Sequence, residues 1–337
     1  MDKRVMLAVA GSGKTTYIVN NLSKQKHSLI VTYTDANYAN LYCKIIQKFR
    51  GEWPENITLM TYFTFLFRFC YKPFLSDQIR AKGLCYEPNQ NKRIPQNKLA
   101  YYMTKTRYLY SNRLALLLEK LSVIEDIKAR IETYFDEFII DEVQDIAGRD
   151  FTLLEHLMKT NINMLFVGDF FQHTFDTSRD GNVNASLHKN INTYKQRFSS
   201  QGLTIDADTL KKSWRCSKSV CDYVRTTLGV DIFSARSETD DTSVVYISDE
   251  ERIADIIDDM SIVKLHYQNA ALFGLGHKNW GQTKGEDNYA DVCIMLNKTT
   301  ATALKKGMPE SLAPSTKNKL YVALTRAKGN VYLIDEN

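Results

Sequence analysis

The feature that most constrains this chain is the run Ala8-Val-Ala-Gly11-Ser12-Gly13-Lys14-Thr15, set between the apolar stretch Val5–Val9 and a helical run that begins at Thr16. Two glycines let a backbone turn tightly enough to bring its N–H groups around an anion, and a helix N-terminus beyond them adds its dipole. Strand, glycine-rich turn and helix in that order make a phosphate loop, in which Lys14 reaches the β/γ oxygens and Thr15 offers a hydroxyl to Mg²⁺. The usual first glycine is Ala8 here, which the loop tolerates where no positive φ is needed. Such a loop is seated by a largely parallel sheet. Short apolar, β-rich runs recur at Leu29–Thr34, Phe138–Asp141, Met164–Gly168, Val244–Ile247, Val292–Leu296 and Val331–Ile334, with helical or irregular stretches between them. That alternation predicts an α/β protein.

Composition sets the outer bounds. A chain of 337 residues exceeds the usual single domain, so two domains or one large one are expected. With 44% apolar and 25% charged residues it can bury a core, which excludes disordered and collagen-like classes. The net charge of +5 permits a polyanionic partner without demanding one. No apolar stretch reaches the eighteen residues a membrane span needs, and the basic N-terminus runs into the glycine loop rather than a cleavage site, so a cytoplasmic, non-membrane protein is expected. Six scattered cysteines without a C-x-x-C pair read as reduced and structural. Asp169 and His173 could suggest a metal pair, but a lone histidine is more often a hydrogen-bonding structural residue, and His173 is read so. The stretch Gln78–Arg130 is rich in helix formers, and residues 80–130 carry eleven Lys/Arg against four Asp/Glu with Tyr101, Tyr102, Tyr108 and Tyr110 interleaved. Two readings fit it: a single-strand channel of cations and stacking rings, or a solvated helical face with its tyrosines in the core. A polar joint follows at Arg236–Ser243, bearing Glu238, Asp240 and Asp241.

A second motif stands at Phe138-Ile-Ile-Asp141-Glu142-Val-Gln144-Asp145, an apolar strand ending in paired carboxylates. In-line phosphoryl transfer needs a metal and a positioned water. Asp141 suits the first and Glu142 the second, although an acidic strand end can also simply cap a helix.

These residues carry a family resemblance. Asp141-Glu-Val-Gln-Asp145 resembles the D-E-x-Q-D box of superfamily 1 helicases of the UvrD/Rep type, and further boxes follow in that family's order between Val5 and Leu333. Val31-Thr-Tyr33-Thr34-Asp-Ala-Asn37 and Thr61-Tyr62-Phe63-Thr64-Phe65 are similar to its strand-contacting boxes. Phe166-Val-Gly168-Asp169-Phe-Phe-Gln172-His-Thr-Phe175 resembles the V-G-D-x-x-Q box, and Leu210-Lys-Lys-Ser-Trp214-Arg215 the aromatic-Arg box. Gly281-Gln-Thr283-Lys284-Gly285-Glu286 resembles T-K-G-x-E, and Leu320-Tyr321-Val-Ala-Leu-Thr325-Arg326-Ala-Lys328 the closing V-A-x-T-R-A box.

The resemblance implies two RecA-like P-loop NTPase domains, 1–200 with a small helical insertion at about 78–130, and 201–337. It implies ATP and Mg²⁺ as cofactors and catalytic roles for Lys14, Glu142, Gln172, Arg215 and Arg326. Gly11, Ser12, Gly13, Lys14, Thr15, Thr16, Trp214 and Gly285 would meet the nucleotide, and Thr15 and Asp141 the metal. Tyr33, Thr34, Asn37, Thr61, Tyr62, Phe63, Phe175 and Thr283 would meet single-stranded DNA, favoured over RNA as the track. Arginines from the second half would clamp a nucleotide held by the first, so that hydrolysis drives closure and opening. The pattern departs from the family where only Met1–Arg4 precede the first strand, where Thr16 replaces a stacking arginine, and where Glu286-Asp287-Asn288-Tyr289 replaces the usual continuation. Cys216–Gly281 is also too short for the accessory domain of relatives. The expectation is a minimal motor that moves 3′ to 5′ on a single strand and separates duplex. The alternative is a nucleic-acid-stimulated ATPase switch that regulates a partner nuclease or effector without unwinding.

Overall fold

The computed structural model describes residues 1–91, 93–179, 181–237, 241–286 and 288–336. Glu238 and Asp240 of the polar joint, and Asp287, lie outside the described residues. The chain divides into two compact units: Met1–Met6 with Thr15–Gly168 and Phe175–Asp206, and Leu7–Lys14 with Asp169–Thr174 and Ala207–Asn337.

The sheet of the first unit collects β1 (Lys3–Leu7), β2 (Ser28–Thr32) and β3 (Ile57–Thr61). The basic segment that follows contributes a separate ladder, β4 (Gly83–Cys85) with β5 (Tyr108–Tyr110), and the main sheet is completed by β6 (Glu137–Asp141), β7 (Asn163–Gly168) and β8 (Thr204–Asp206). Its order is β3-β2-β6-β7-β1-β8. The β3–β2, β2–β6, β6–β7 and β1–β8 pairings are parallel, with Leu29 of β2 facing Thr58 on one side and Phe138 on the other. All five residues of β2 are buried, as expected of a strand covered on both faces. Helix Asp35–Lys48 starts where the Thr34 hydroxyl accepts the Asn37 N–H at 3.1 Å, an ordinary N-cap.

The insertion departs from the helical expectation. It carries the β4/β5 ladder and a short helix, Leu99–Tyr102, and its later part, helix Leu114–Lys120, buries all of Leu114–Leu118 in the core of the first unit. Tyr101 and Tyr102 are buried too, with the Arg113 guanidinium 3.7 Å from the Tyr101 ring centroid and donating to the Tyr101 carbonyl at 2.8 Å. That part of the tyrosine-rich stretch is core. Tyr108 alone of the four is exposed.

The second unit holds a two-residue ladder, β9 (Lys212–Ser213) with β10 (Phe233–Ser234), and a five-stranded sheet. The sheet strands are β11 (Val244–Tyr246), β12 (Val263–His266), β13 (His277–Asn279), β14 (Val292–Leu296) and β15 (Val331–Asp335). Their order is β11-β15-β14-β12-β13, again paired in parallel. Trp280, just after the edge strand β13, is fully buried in the unit's core and donates its indole N–H to the Leu265 carbonyl at 2.9 Å. Helix Pro314–Leu324 opens with proline in its first turn, where a missing N–H costs nothing, and buries Leu320, Tyr321 and Leu324 in the same core as Val9 and Ala10. Among the described residues no helix is long and apolar enough to cross a membrane. All six cysteines are free thiols.

Candidate nucleotide and nucleic-acid sites

The phosphate loop takes its shape from two residues that only glycine supplies cheaply. Gly11 has φ +69° and Gly13 φ +86°, after which helix Lys14–Asn21 begins at once. A Cβ built on Gly13 meets nothing within 4 Å, so the loop is open on that side. At Gly11 a Cβ would stand 2.7 Å from both Arg215 Cβ and Ser213 Oγ. The loop is therefore seated against the aromatic-Arg box, and the Trp214 N–H donates to the Gly11 carbonyl at 2.9 Å. The Trp214 ring itself is 71% exposed. The Ser12 hydroxyl is buried without a hydrogen-bond partner among the described residues, a donor an anion in the loop would engage. The open side at Gly13, that hydroxyl and Lys14 fit a phosphate.

One connection here was not singled out from the sequence. Tyr321, on helix Pro314–Leu324, receives the Ala10 N–H at 2.9 Å and donates to Asp169 Oδ2 at 2.9 Å. Its hydroxyl thus ties the phosphate loop to the V-G-D-x-x-Q and V-A-x-T-R-A boxes. Burial, with the Asp169 charge next, pushes the Tyr321 phenol well above its ordinary pKa, so it stays protonated and able to donate. The only sequence signal was a tyrosine inside a recognisable box. Gln172 is buried at the end of the short turn Phe170–Gln172, which Asp169 caps by accepting the Phe171 N–H at 3.1 Å.

Arg215 and Arg326 converge on one end of helix Pro314–Leu324. Arg215 Nη1 donates to the Thr325 carbonyl at 3.0 Å. Arg326 is buried; its Nε donates to Val322 at 3.1 Å, and its Nη1 to the Thr283 and Glu286 carbonyls at 3.1 and 3.2 Å. In this conformation the Arg326 guanidinium clasps the 283–286 turn, where Gly285 has φ +87°, in addition to any reach toward a nucleotide. Thr283, expected on the strand, is buried with its hydroxyl donating to the Trp280 carbonyl at 2.9 Å; that hydroxyl is occupied by the fold.

In the first unit, β6 ends on Asp141, which is buried, and Glu142 adopts a left-handed conformation, φ +60° and ψ +44°. A non-glycine residue there costs of order 1–3 kcal/mol and persists where its surroundings fix it. Gln144 is fully buried and donates from Nε2 to Glu142 Oε2. A Cβ on Gly168 would collide with the Gln144 side chain, so the glycine of the V-G-D box makes room for this pair. Thr15 and Asp141 are a hydroxyl and a carboxylate, hard oxygen donors of the kind Mg²⁺ prefers. Thr16 is exposed and accepts from Lys44 Nζ at 3.0 Å.

The strand-contacting residues divide. Tyr33 and Phe63 are half-buried with ring centroids 6.1 Å apart, and Tyr86, from the insertion, packs edge-on to Phe63 at 5.3 Å with much of its ring exposed. Tyr86 was missed because only the folded insertion brings it beside Phe63. Phe175 is exposed, Thr61 bonds Thr64 at 2.9 Å, and Thr34 and Asn37 form the helix cap described above. Tyr62 is a correction. It is only 5% exposed, packed in the core near Asp150, so it offers no ring face to a base. Asp150 is itself fully buried in helix Gly148–Leu157, and its carboxylate oxygens make no well-formed hydrogen bond among the described residues. Burial pushes its carboxyl up to about 7, offset in part by the nearby Thr177 and Tyr62 hydroxyls.

Comparison of the sequence with family models finds no match, and comparison with curated proteins finds none. Solved structures do match. The complex of arterivirus nonstructural protein 10, a helicase, with DNA is 15% identical at a TM-score of 0.52, over 99% of this chain and 60% of that one. A structure of the PRRSV helicase is 13% identical at 0.50, over 98% and 52%. A crystal structure of arterivirus nonstructural protein 10 is 16% identical at 0.52, over 98% and 59%. The fold is thus α/β with two RecA-like domains, and the likeness to these helicases is one of fold and reaches no finer branch. The chain spans about half to three fifths of the length of these helicases.

Proposed function

We propose that this chain is an ATP- and Mg²⁺-dependent motor of UvrD/Rep-like type, built from a first RecA-like domain over 1–200 and a second over 201–337, that moves 3′ to 5′ on single-stranded DNA and separates duplex. The observation that carries the reading is the seating of Gly11 against Arg215, with the Trp214 N–H on the Gly11 carbonyl. It joins the phosphate-binding backbone to a guanidinium and a ring suited to a nucleotide.

In this reading Gly11, Ser12, Gly13 and Lys14 hold the phosphates, Trp214 and Thr16 border the base and ribose, and Gly285 lets the T-K-G turn approach the nucleotide. Thr15 and Asp141 would hold Mg²⁺, which neutralises charge on the transferring phosphoryl group. Glu142, fixed by Gln144, orients and deprotonates the attacking water, Gln172 senses the γ-phosphate, and Arg215 with Arg326 answers the charge that develops there. Tyr33, Phe63, Tyr86 and Phe175 supply stacking faces, with Thr34, Asn37 and Thr61 beside them. The arterivirus helicase solved with DNA supports a nucleic-acid track.

The test is the ATPase rate of the purified chain alone and with single-stranded DNA, RNA or duplex, run beside a strand-displacement assay. Stimulation by single-stranded DNA with displacement is expected. Absence of ATPase, or a rate indifferent to every nucleic acid, overturns the motor. The region between the aromatic-Arg and T-K-G boxes is occupied by strands and helices of the second unit's own sheet, which favours a second reading, the switch that serves a partner nuclease or effector. Stimulation without displacement until a partner is added would select it.

A further inference from the structure

The entry to the phosphate loop is braced by hydrogen bonds of two kinds. The Val9 N–H donates to the Leu210 carbonyl at 3.0 Å and the Trp214 N–H to the Gly11 carbonyl at 2.9 Å, in both cases between backbone groups. The Ala10 N–H donates instead to a side chain, the Tyr321 hydroxyl, at 2.9 Å. That hydroxyl donates onward to Asp169 Oδ2 at 2.9 Å, and Asp169 Oδ1 accepts the Phe171 N–H at 3.1 Å. The bonds thus run from the loop into the turn Phe170–Gln172, where the Gln172 N–H donates to the Asp169 carbonyl at 2.9 Å.

This turn hangs from one helix at both ends. Asn318 and Tyr321 lie three residues apart on helix Pro314–Leu324, so they share a face. Asn318 Nδ2 donates to the His173 carbonyl at 3.1 Å, just past Gln172, and the Tyr321 ring meets the Phe171 ring edge-on at 5.9 Å. Gln172 is held between these attachments and is itself buried. Ala10, Asp169 and Tyr321 are buried as well, shielded from bulk water. A buried donor or carboxylate that loses its partner is costly, so a shift of the Ala10 amide is passed along the chain of bonds rather than absorbed by breaking one of them.

We propose that Tyr321 is a positioning residue that carries the state of the phosphate loop to Gln172 through Asp169. The proposal rests on the nucleotide reading above and deepens it. A phosphate drawn in among the loop's amides displaces the Ala10 N–H, the Tyr321 hydroxyl follows it, and Asp169 resets the turn that bears Gln172. Tyr321 acts through these bonds and not by contact with the nucleotide.

The test is hydrogen exchange of the whole chain with and without ADP, read by mass spectrometry on Leu7–Lys14 and Asp169–Thr174. ADP has no γ-phosphate for Gln172 to meet, so slower exchange at the turn reports the loop. In the parent, ADP is expected to slow both segments at least about threefold. In Tyr321→Phe, which keeps the ring against Phe171, the loop should still slow and the turn should not. Asp169→Ala cuts the chain of bonds at its far end and spares the Ala10–Tyr321 bond; it should give the same result, and it decides the matter if melting shows Tyr321→Phe to be unfolded. Turnover gives a second readout. Tyr321→Phe should lower kcat for ATP about tenfold with KM changed less than about twofold, yet lower it less than about twofold when Gln172→Ala is already present, because its effect passes through that side chain.

A role in folding alone would give additive losses of kcat, and that result overturns the proposal. So does slowing at the turn that is as large in Tyr321→Phe and Asp169→Ala as in the parent, or slowing confined to the loop in the parent; in each of these cases the nucleotide reading stands. No slowing of either segment by ADP overturns that reading, and this proposal with it. The exchange readout needs no turnover, so the two can fail separately.

Discussion

The residues matched to nucleotide chemistry and those matched to strand contact behave differently once folded. On the nucleotide side, function is written largely into the backbone: positive φ at Gly11, Gly13 and Gly285, a left-handed Glu142, and a loop carbonyl accepting from the Trp214 N–H. On the strand side it depends on which ring faces outward, and there Tyr62 is in the core while Tyr86 and Phe175 are exposed. Backbone geometry is tightly tied to residue type and spacing. The outward face of an aromatic side chain is decided by everything packed around it.

The largest effect that would break this contrast belongs to Glu142. Glu142→Gln keeps the side chain's shape and removes its basicity, so kcat for ATP is expected to fall about 10²–10⁴-fold while binding of a fluorescent ATP analogue is retained. A parent-like rate would remove Glu142 from the water-positioning role and leave its left-handed backbone without a chemical purpose.

Asp150, beneath Tyr62, gives the next largest. Its folded pKa of about 7 against an ordinary 3.8 means that folding takes up a proton between those values. Its contribution to stability is therefore lost as pH rises from about 4 to about 7, amounting to about 4 kcal/mol at most above that range. Asp150→Asn should be more stable than the parent at pH 8, with the gap closing toward pH 4, as read by urea melts at several pH values. A gap independent of pH would mean that the strand-side core tolerates a charge there.

On the nucleotide side, two glycines that look alike in sequence should differ. Alanine at either position strains a positive φ by about 1–2 kcal/mol. Gly11→Ala also drives a Cβ to 2.7 Å from Arg215 and Ser213, where Gly13→Ala meets open space, and overpacking adds about 1–3 kcal/mol. Gly11→Ala is thus expected to weaken ATP binding roughly tenfold more than Gly13→Ala, with melting temperatures separating lost binding from lost fold. Equal losses would say that the Arg215 contact carries nothing.

How much could be read in advance follows the same line. The phosphate loop, the carboxylate pair and strands such as Val292–Leu296 were legible because a buried parallel strand is a continuous apolar run and the loop's turns demand glycine. Ile57–Thr61 and Val263–His266 were not: the first is half polar, and the second carries Lys264 and His266, which are buried through Lys264 bonding the Asp259 carbonyl at 2.5 Å and the His266–Glu336 contact. Polar residues that a fold buries with partners from distant sequence leave no local trace. The insertion misled for a related reason. Leu114–Leu118 reads as a helix in a basic stretch, yet its burial is set by packing against helix Gly148–Leu157.

The smallest effect is the sharpest probe of the strand side. Tyr86 lies outside every recognised box and Tyr62 inside one, so the sequence ranks Tyr62 first and the structure ranks Tyr86 first. Stacking is worth about 1–3 kcal/mol per base, and a partly exposed ring packed edge-on to Phe63 should deliver the low end of that. Tyr86→Ala is expected to weaken binding of a fluorescent oligothymidylate roughly fivefold at fixed salt, whereas Tyr62→Phe, which removes only a buried hydroxyl, should leave it unchanged. The opposite order would mean that the core around Asp150 opens when the strand binds, and that exposure in the free protein is the wrong guide to its contacts.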